Sequence, residues 1–275
     1  MDIIDTHVFY EYNKLLNVNH KLKDLKEIRE KYKGKHNIKF IVIPFSPEIN
    51  KNIADIVKEN SDFISGAYLT VIPRMDLPYW RYTPPDELAT LCKREEIRGL
   101  KIHTAATGTP IDSNSLLPYI EVAKEKDIPI LFHCSSTGIE YTSPNKIRNL
   151  AEKHDKLKII LAHFGGLNPD YINENLDLVK EFSNLYLNTT GMSGEIKRYE
   201  LRTDKPHIKI HYTNLELREK WKEVLKNTMQ DPILSNKILF GTDYPDMGYQ
   251  LYPLDQLSRR KQEKILKNTT TLFKL

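Results

Sequence analysis

Short apolar runs alternate with longer amphipathic stretches from one end of the chain to the other. The runs are DIIDTHV, IKFIVIP, GAYLTVIP, IRGLKIHT, IPILFHC, KIILAHF, LYLNTT and KILFGTD. Most are nearly continuous in β-branched and other apolar residues, the pattern of parallel strands covered on both faces. The stretches between them carry helix signals. Ser46-Pro47 and Ser143-Pro144 each set an N-cap residue before a proline at the first helical position. Thr213 and Glu216 read as a capping box opening TNLELREKWKEVL. LPYIEVAKEK and IRNLAEKHDK repeat apolar residues at i, i+3 and i+4.

Eight strands, each followed by a helix-sized segment, predict an α/β chain folded as one (β/α)8 TIM barrel over residues 1–275. A doubly wound open sheet is the runner-up. It would use fewer strands and a glycine-rich phosphate turn, and neither a G-x-G-x-x-G nor a Walker sequence is present.

In a barrel of this kind the chemistry belongs at the C-terminal ends of the strands. Reading those ends yields His7 in strand one, Lys101 and His103 in strand four, His133 in strand five, His163 in strand six and Asp243 in strand eight. Lys101 and His133 are 32 residues apart, His133 and His163 are 30, and His7 and Lys101 are 94, about three such units. His163 and Asp243 are 80 apart, two units plus an insertion. The six residues therefore fall at similar heights on the barrel. A single histidine closing an apolar run is most often a hydrogen-bonded core residue. Three imidazoles and a carboxylate buried around one axis are costly without compensation. A divalent cation supplies it, since neutral imidazole and carboxylate are suitable zinc ligands.

Composition changes this picture little. Of 275 residues 40% are hydrophobic and 28% charged, and 41 basic against 37 acidic residues leave a formal charge of +4. Lys and Glu are interspersed, as in HKLKDLKEIREKYKGK, which reads as a solvated helix face; no nucleic-acid partner is expected. Cys92 and Cys134 are too few for a disulfide framework and are not in C-x-x-C spacing, which favours a reducing, cytoplasmic setting. No apolar run reaches the ~18–20 residues of a membrane helix, and the N-terminus shows no signal-peptide pattern.

Taken in order, IIDTHVF, GLKIHT, PILFHCS, IILAHFGG, ILFGTDYP and the closing KILKNTTTLFKL resemble the successive motifs of the amidohydrolase superfamily. The likeness is to its amidohydrolase-related branch, which includes the aminocarboxymuconate-semialdehyde decarboxylase-like enzymes. It implies a metal-dependent barrel enzyme acting on a C–N, C–O or C–C bond next to a carbonyl or carboxylate. Position by position, His7 matches the first histidine of the strand-one His-x-His pair and His133 the strand-five ligand. His163 matches the strand-six histidine, a ligand or a polarising group, and Asp243 the strand-eight aspartate, ligand and proton acceptor. Asn268 would be structural.

The departure is Phe9, where the family has its second histidine. Three readings stand side by side. One ion, zinc or alternatively manganese, is held by His7, His133 and Asp243 with His163 as fourth ligand or catalytic partner; or Tyr10 or Glu11 substitutes; or the barrel works without a metal. Lys101 in this family can be carboxylated and bridge two ions, which the loss of the second histidine disfavours; a cation for a substrate carboxylate is the preferred role. His103 shares its inward face. Arg74 after strand three, and Arg198, Arg202, His207 and His211 in the long segment after strand seven, are the loop cations, and that segment has the length of a lid. Tyr79 and Trp80 are candidates for the barrel mouth. The function expected is hydrolysis of an amide, lactone or ester in a small carboxylate-bearing molecule. A non-oxidative decarboxylase is the first rival, and a degraded barrel that only binds a ligand the second. The partner is a small molecule, not a membrane, and a homodimer through the outer helices stays open.

Overall fold

The computed structural model describes residues 1–13, 18–77, 80–134, 138–200, 208–245 and 248–275, with backbone alone at 11–13, 18–20, 195–200 and 208–213. The eight expected strands all form. They are β1 (Asp2–Asn13), β2 (Asn37–Pro44), β3 (Ile64–Val71), β4 (Ile97–Ile102), β5 (Ile130–Phe132), β6 (Ile159–Leu161), β7 (Leu185–Asn188) and β8 (Ile238–Leu239). Each pairs in parallel with its sequence neighbour. The ring closes between β8 and β1 through Thr6 N to Phe240 O at 2.9 Å, Asp243 N to His7 O at 2.9 Å and Phe9 N to Tyr244 O at 2.7 Å. A short strand at Val18–His20 folds back antiparallel on the end of β1.

Alternating side chains divide the core in two. On β6, Ile159 and Leu161 pack outward under the helices, while Ile160 and Ala162 join Ile4, Ile41, Ile43, Tyr68, Leu131 and Leu239 inside the barrel. Among the described residues, eight helices of seven or more residues cover the outside: α1 (Leu22–Tyr32), α2 (Asn50–Glu59), α3 (Pro85–Leu91), α4 (Leu117–Glu125), α5 (Pro144–Lys153), α6 (Ile172–Glu181), α7 (Leu215–Thr228) and α8 (Arg259–Phe273). The last lays Leu272 and Phe273 against the inner cluster.

Two local expectations change. The cap of α7 is Asn214, not Thr213: its side chain accepts from Leu217 N at 3.0 Å, while Thr213 is used up as the last residue of a strand. That strand belongs to a hairpin, Glu195–Glu200 paired with Ile208–Thr213, built from the long segment after β7. Ser46 and Ser143 do precede prolines at helix starts, of a short 3₁₀ turn (Pro47–Ile49) leading into α2 and of α5, yet neither side chain makes a cap hydrogen bond. No described helix is long and apolar enough to cross a membrane.

Candidate active site

The strand ends bring four of the expected residues together. His7 Nε2 lies 3.1 Å from Asp243 Oδ1, and His163 Nε2 lies 4.0 Å from Asp243 Oδ2. His163 Nε2 is 3.2 Å from His133 Nδ1. His103 stacks on His133 with ring centroids 3.7 Å apart, and Lys101 lies one inward position before it on β4. His7, Lys101, His163 and Asp243 are buried, while His103 and His133 are half-buried.

The elements that aim these groups differ. On β5 the pleat alone suffices: Leu131 faces in, Phe132 out, and His133 in again. On β6 the same alternation would send His163 outward, since Ala162 already faces in. A left-handed turn corrects it. His163, Phe164 and Leu167 have φ of 50°, 52° and 48°, with glycines at 165 and 166 also positive. Non-glycine residues in that region cost roughly 1–2 kcal/mol each, so the turn needs clamps. Thr190 Oγ1 accepts from His163 N at 2.7 Å, and Asn175 Nδ2 donates to Gly165 O at 2.8 Å. Asn188 supports Thr190 in turn: its Oδ1 accepts from Thr190 N at 3.0 Å and its Nδ2 donates to Thr6 Oγ1 at 2.8 Å. Asp243 is also left-handed, at φ 63°.

Burial dominates the electrostatics. Burial and the Lys101 charge push His7 down to about 3 and His103 down to about 3. Burial and the adjacent imidazoles hold His133 well below the usual range, and burial lowers His163 against the opposing pull of Asp243. Burial pushes Lys101 down to about 8, with Asp243 opposing. For Asp243, burial pushes upward, but the fields of His163, His7 and Lys101 outweigh it and hold the carboxyl below its ordinary value. Burial thus disfavours the protonated form of each imidazole, while the surrounding groups favour the ionised form of Asp243.

Several of these groups lack ordinary partners. Among the described residues His7 Nδ1 and the buried Lys101 Nζ have no hydrogen-bond partner, and His7 Nε2 meets only Asp243 Oδ1, at 3.1 Å. Among the described residues no three His, Cys, Asp or Glu side chains already form a coordination shell. What exists is a chain of close pairs. Imidazole nitrogens and a carboxylate are the donor types a divalent ion takes, and the His7–Asp243 contact needs either a cation or the Nε2 proton between its two lone-pair atoms.

The other expectations sort as follows. Phe9 faces inward beside His7, with ring centroids 5.4 Å apart, and stacks on Phe45 at 4.5 Å. Tyr10 packs in the outer core, so it is not a substitute ligand; the Glu11 side chain lies outside what is described. Arg74 has its guanidinium on Asp76, at 2.9 and 2.6 Å, and on Thr107 O. It is not brought to the imidazoles by any of these contacts. Trp80 is half-buried, while Tyr79, Arg202 and His207 lie outside the described residues, as do the side chains of Arg198 and His211. Asn268 is structural as expected, donating to Ser235 O and Ile238 O at 2.9 Å each. Sequence reading passed over Asp5, Thr190, Asn188 and Thr242, the residues that hold the site in shape. Their only signal was small polar residues packed into strand ends, in IIDTHVF, LYLNTT and ILFGTDYP.

Residues 69–270 match the sequence-family model described as Amidohydrolase. The chain belongs to the amidohydrolase family. No curated protein sequence matches this amidohydrolase. Among solved structures it resembles a protein of Pseudomonas putida described as a candidate 2-pyrone-4,6-dicarboxylic acid hydrolase, at 14% identity and TM-score 0.70, covering 98% of this chain and 97% of that one. A second with that description, from Acinetobacter baumannii with citric acid bound, aligns over 100% of both chains at 13% identity and TM-score 0.66. The 5-carboxyvanillate decarboxylase of Novosphingobium aromaticivorans, with manganese and a nitrobenzoic acid bound, aligns at 14% identity and TM-score 0.64, over 99% and 97%. At these identities the shared feature is the fold.

Proposed function

We propose that this amidohydrolase is a metal-dependent hydrolase that opens an amide, lactone or ester bond in a small carboxylate-bearing molecule. The observation that carries the reading is the convergence of buried His7 and Asp243, in contact at 3.1 Å, with His163 and His133 alongside. His7, His133 and Asp243 would hold one divalent ion, zinc or manganese, with His163 beside them as the catalytic partner; Phe9 leaves no donor for a second. Such an ion supplies a Lewis acid that makes water acidic enough to attack near neutral pH.

The chain's own groups do the rest. Asp243 Oδ2, the oxygen turned from His7 toward His163, takes the proton of the attacking water and returns it to the leaving group. His163 Nε2 steadies the oxygen that gains negative charge. Lys101, buried and unpartnered, attracts the substrate carboxylate. His103 accepts from Ala106 N at Nδ1, so its neutral ring carries the proton at Nε2 and can donate it to substrate. Arg74 is a rim cation available only when Asp76 releases it, and the hairpin after β7 is the element for a lid.

A decarboxylase on the same scaffold is the second reading, supported by the unpaired Lys101 ammonium and by the manganese-bound decarboxylase that shares the fold. Two measurements decide. Metal analysis of protein purified without chelator is expected to find about one equivalent of zinc or manganese. Proton and carbon dioxide release are then followed over a panel of lactones, esters and aromatic carboxylates. Proton release without carbon dioxide supports the hydrolase, and carbon dioxide release transfers the assignment to the decarboxylase. Metal-free protein that neither zinc nor manganese activates overturns both.

A further inference from the structure

We infer that Asp5 is a positioning residue for the His7–Asp243 pair, acting by clamping the β-bulge that turns His7 into the barrel. The phase of β1 shows the bulge at work. Ile3 packs in the outer core and Ile4 in the inner one; farther along, Val8 and Tyr10 are outer and Phe9 inner. An unbroken pleat from Ile4 would place His7 and Phe9 outside. The register against β2 slips between Asp5 and Val8, and this one irregularity moves His7 to the inside.

The Asp5 carboxylate sits in that bulge with 0% exposure. Its Oδ1 accepts from His7 N at 3.1 Å, a turn closed by an Asp side chain two residues back. The same oxygen accepts from Thr242 N at 3.1 Å, and Oδ2 accepts from Thr242 Oγ1 at 2.6 Å. One side chain therefore holds the backbone of His7 and the backbone next to Asp243, on opposite sides of the seam. Asp243, left-handed at φ 63°, is tied to the same place by its N–H on His7 O. None of these hydrogen bonds reaches a side chain of the site, so Asp5 acts through its neighbours. The seam has separate fastenings at Thr6 and Phe9, so barrel closure does not depend on Asp5 alone.

The inference rests on His7 and Asp243 being the working pair, and its test does not need turnover. Crystal structures of Asp5→Asn, Asp5→Leu, Thr242→Ser and Thr242→Val are compared with the parent, and Mn²⁺ affinity is measured on each by calorimetry. Asn and Ser keep the acceptor and the hydroxyl, and are expected to keep the His7–Asp243 separation within about 0.5 Å. Leu and Val are expected to lengthen it or release Asp243 from its left-handed φ, and to weaken Mn²⁺ binding by about 10–100-fold. If Asp5→Leu does not fold, the Thr242 pair decides. Unchanged geometry in Thr242→Val overturns the inference, as does Asp5→Asn disrupting the pair as fully as Asp5→Leu. Should the parent bind no Mn²⁺, the functional reading is what loses support, and the crystallographic comparison still judges Asp5.

Discussion

The two halves of the site are built on opposite principles. On the β4–β5 side, an ordinary parallel ladder aims Lys101, His103 and His133 inward by alternation alone, and the backbone there stays in common conformations. On the other side, His7 is turned by a bulge and His163 and Asp243 by left-handed residues. That side also contains the seam, where β8 is only Ile238–Leu239 and the ladder is too short to fix a register unaided. Buried polar side chains replace it. A regular strand thus positions a group at no local cost but only every second residue. An irregular one can aim a group anywhere, provided hydrogen bonds hold the strain.

The sharpest way to break this contrast is at Asp243. Asp243→Asn should fold normally and lose about 10²–10⁴-fold in turnover, because the amide cannot accept the proton of the attacking water. Turnover together with a thermal melt checks this; near-parental turnover would sink the assigned role. Next comes the support beneath His163. Asn188→Ala leaves the buried Thr190 N without its acceptor and removes the donor to the Thr6 hydroxyl, which keeps Phe240 O, an expected loss of about 1–3 kcal/mol in denaturant unfolding.

A third measurement asks where the halves agree. His7 on the seam and His103 on the ladder are both pushed from 6.5 to about 3 by burial. The unfolded chain binds these protons more readily, so their contribution is complete above about pH 6.5 and is lost as pH falls toward about 3. Melts of the metal-free protein from pH 7.5 to pH 4.5, values chosen to cross that window, should show stability falling with pH. His7→Asn and His103→Asn should each flatten the slope by about one proton. A steeper effect at only one of them would show that local geometry, not burial, sets the shift. The smallest effect belongs to the ladder side. In His103→Asn the new side chain can still accept from Ala106 N, so stability above pH 7 should change by no more than about 0.5 kcal/mol.

The legible parts of the sequence were those governed by periodicity. Eight apolar runs became eight strands, and Lys101 and His133 face inward as simple alternation dictates because β4 and β5 pair in regular register. The α7 cap slid from Thr213 to Asn214 because a hairpin claimed the threonine, and hairpin pairing is not visible in a helix-cap pattern. His163 was named from its place in order alone; its inward aim contradicts simple alternation from Ala162 and depends on the turn that Thr190 and Asn175 hold.

What the amino-acid order determined by itself is the alternation of strand and helix, the apolar lining of the barrel, and which imidazoles and carboxylate reach its C-terminal rim. These follow from short-range periodicity, which each segment carries without reference to the rest. Only the folded chain decided that His7 and Asp243 meet at 3.1 Å and that Asp5, Asn188 and Thr190 stand behind the site. Those contacts join residues as many as 237 positions apart across a closing seam, where no local pattern constrains the geometry.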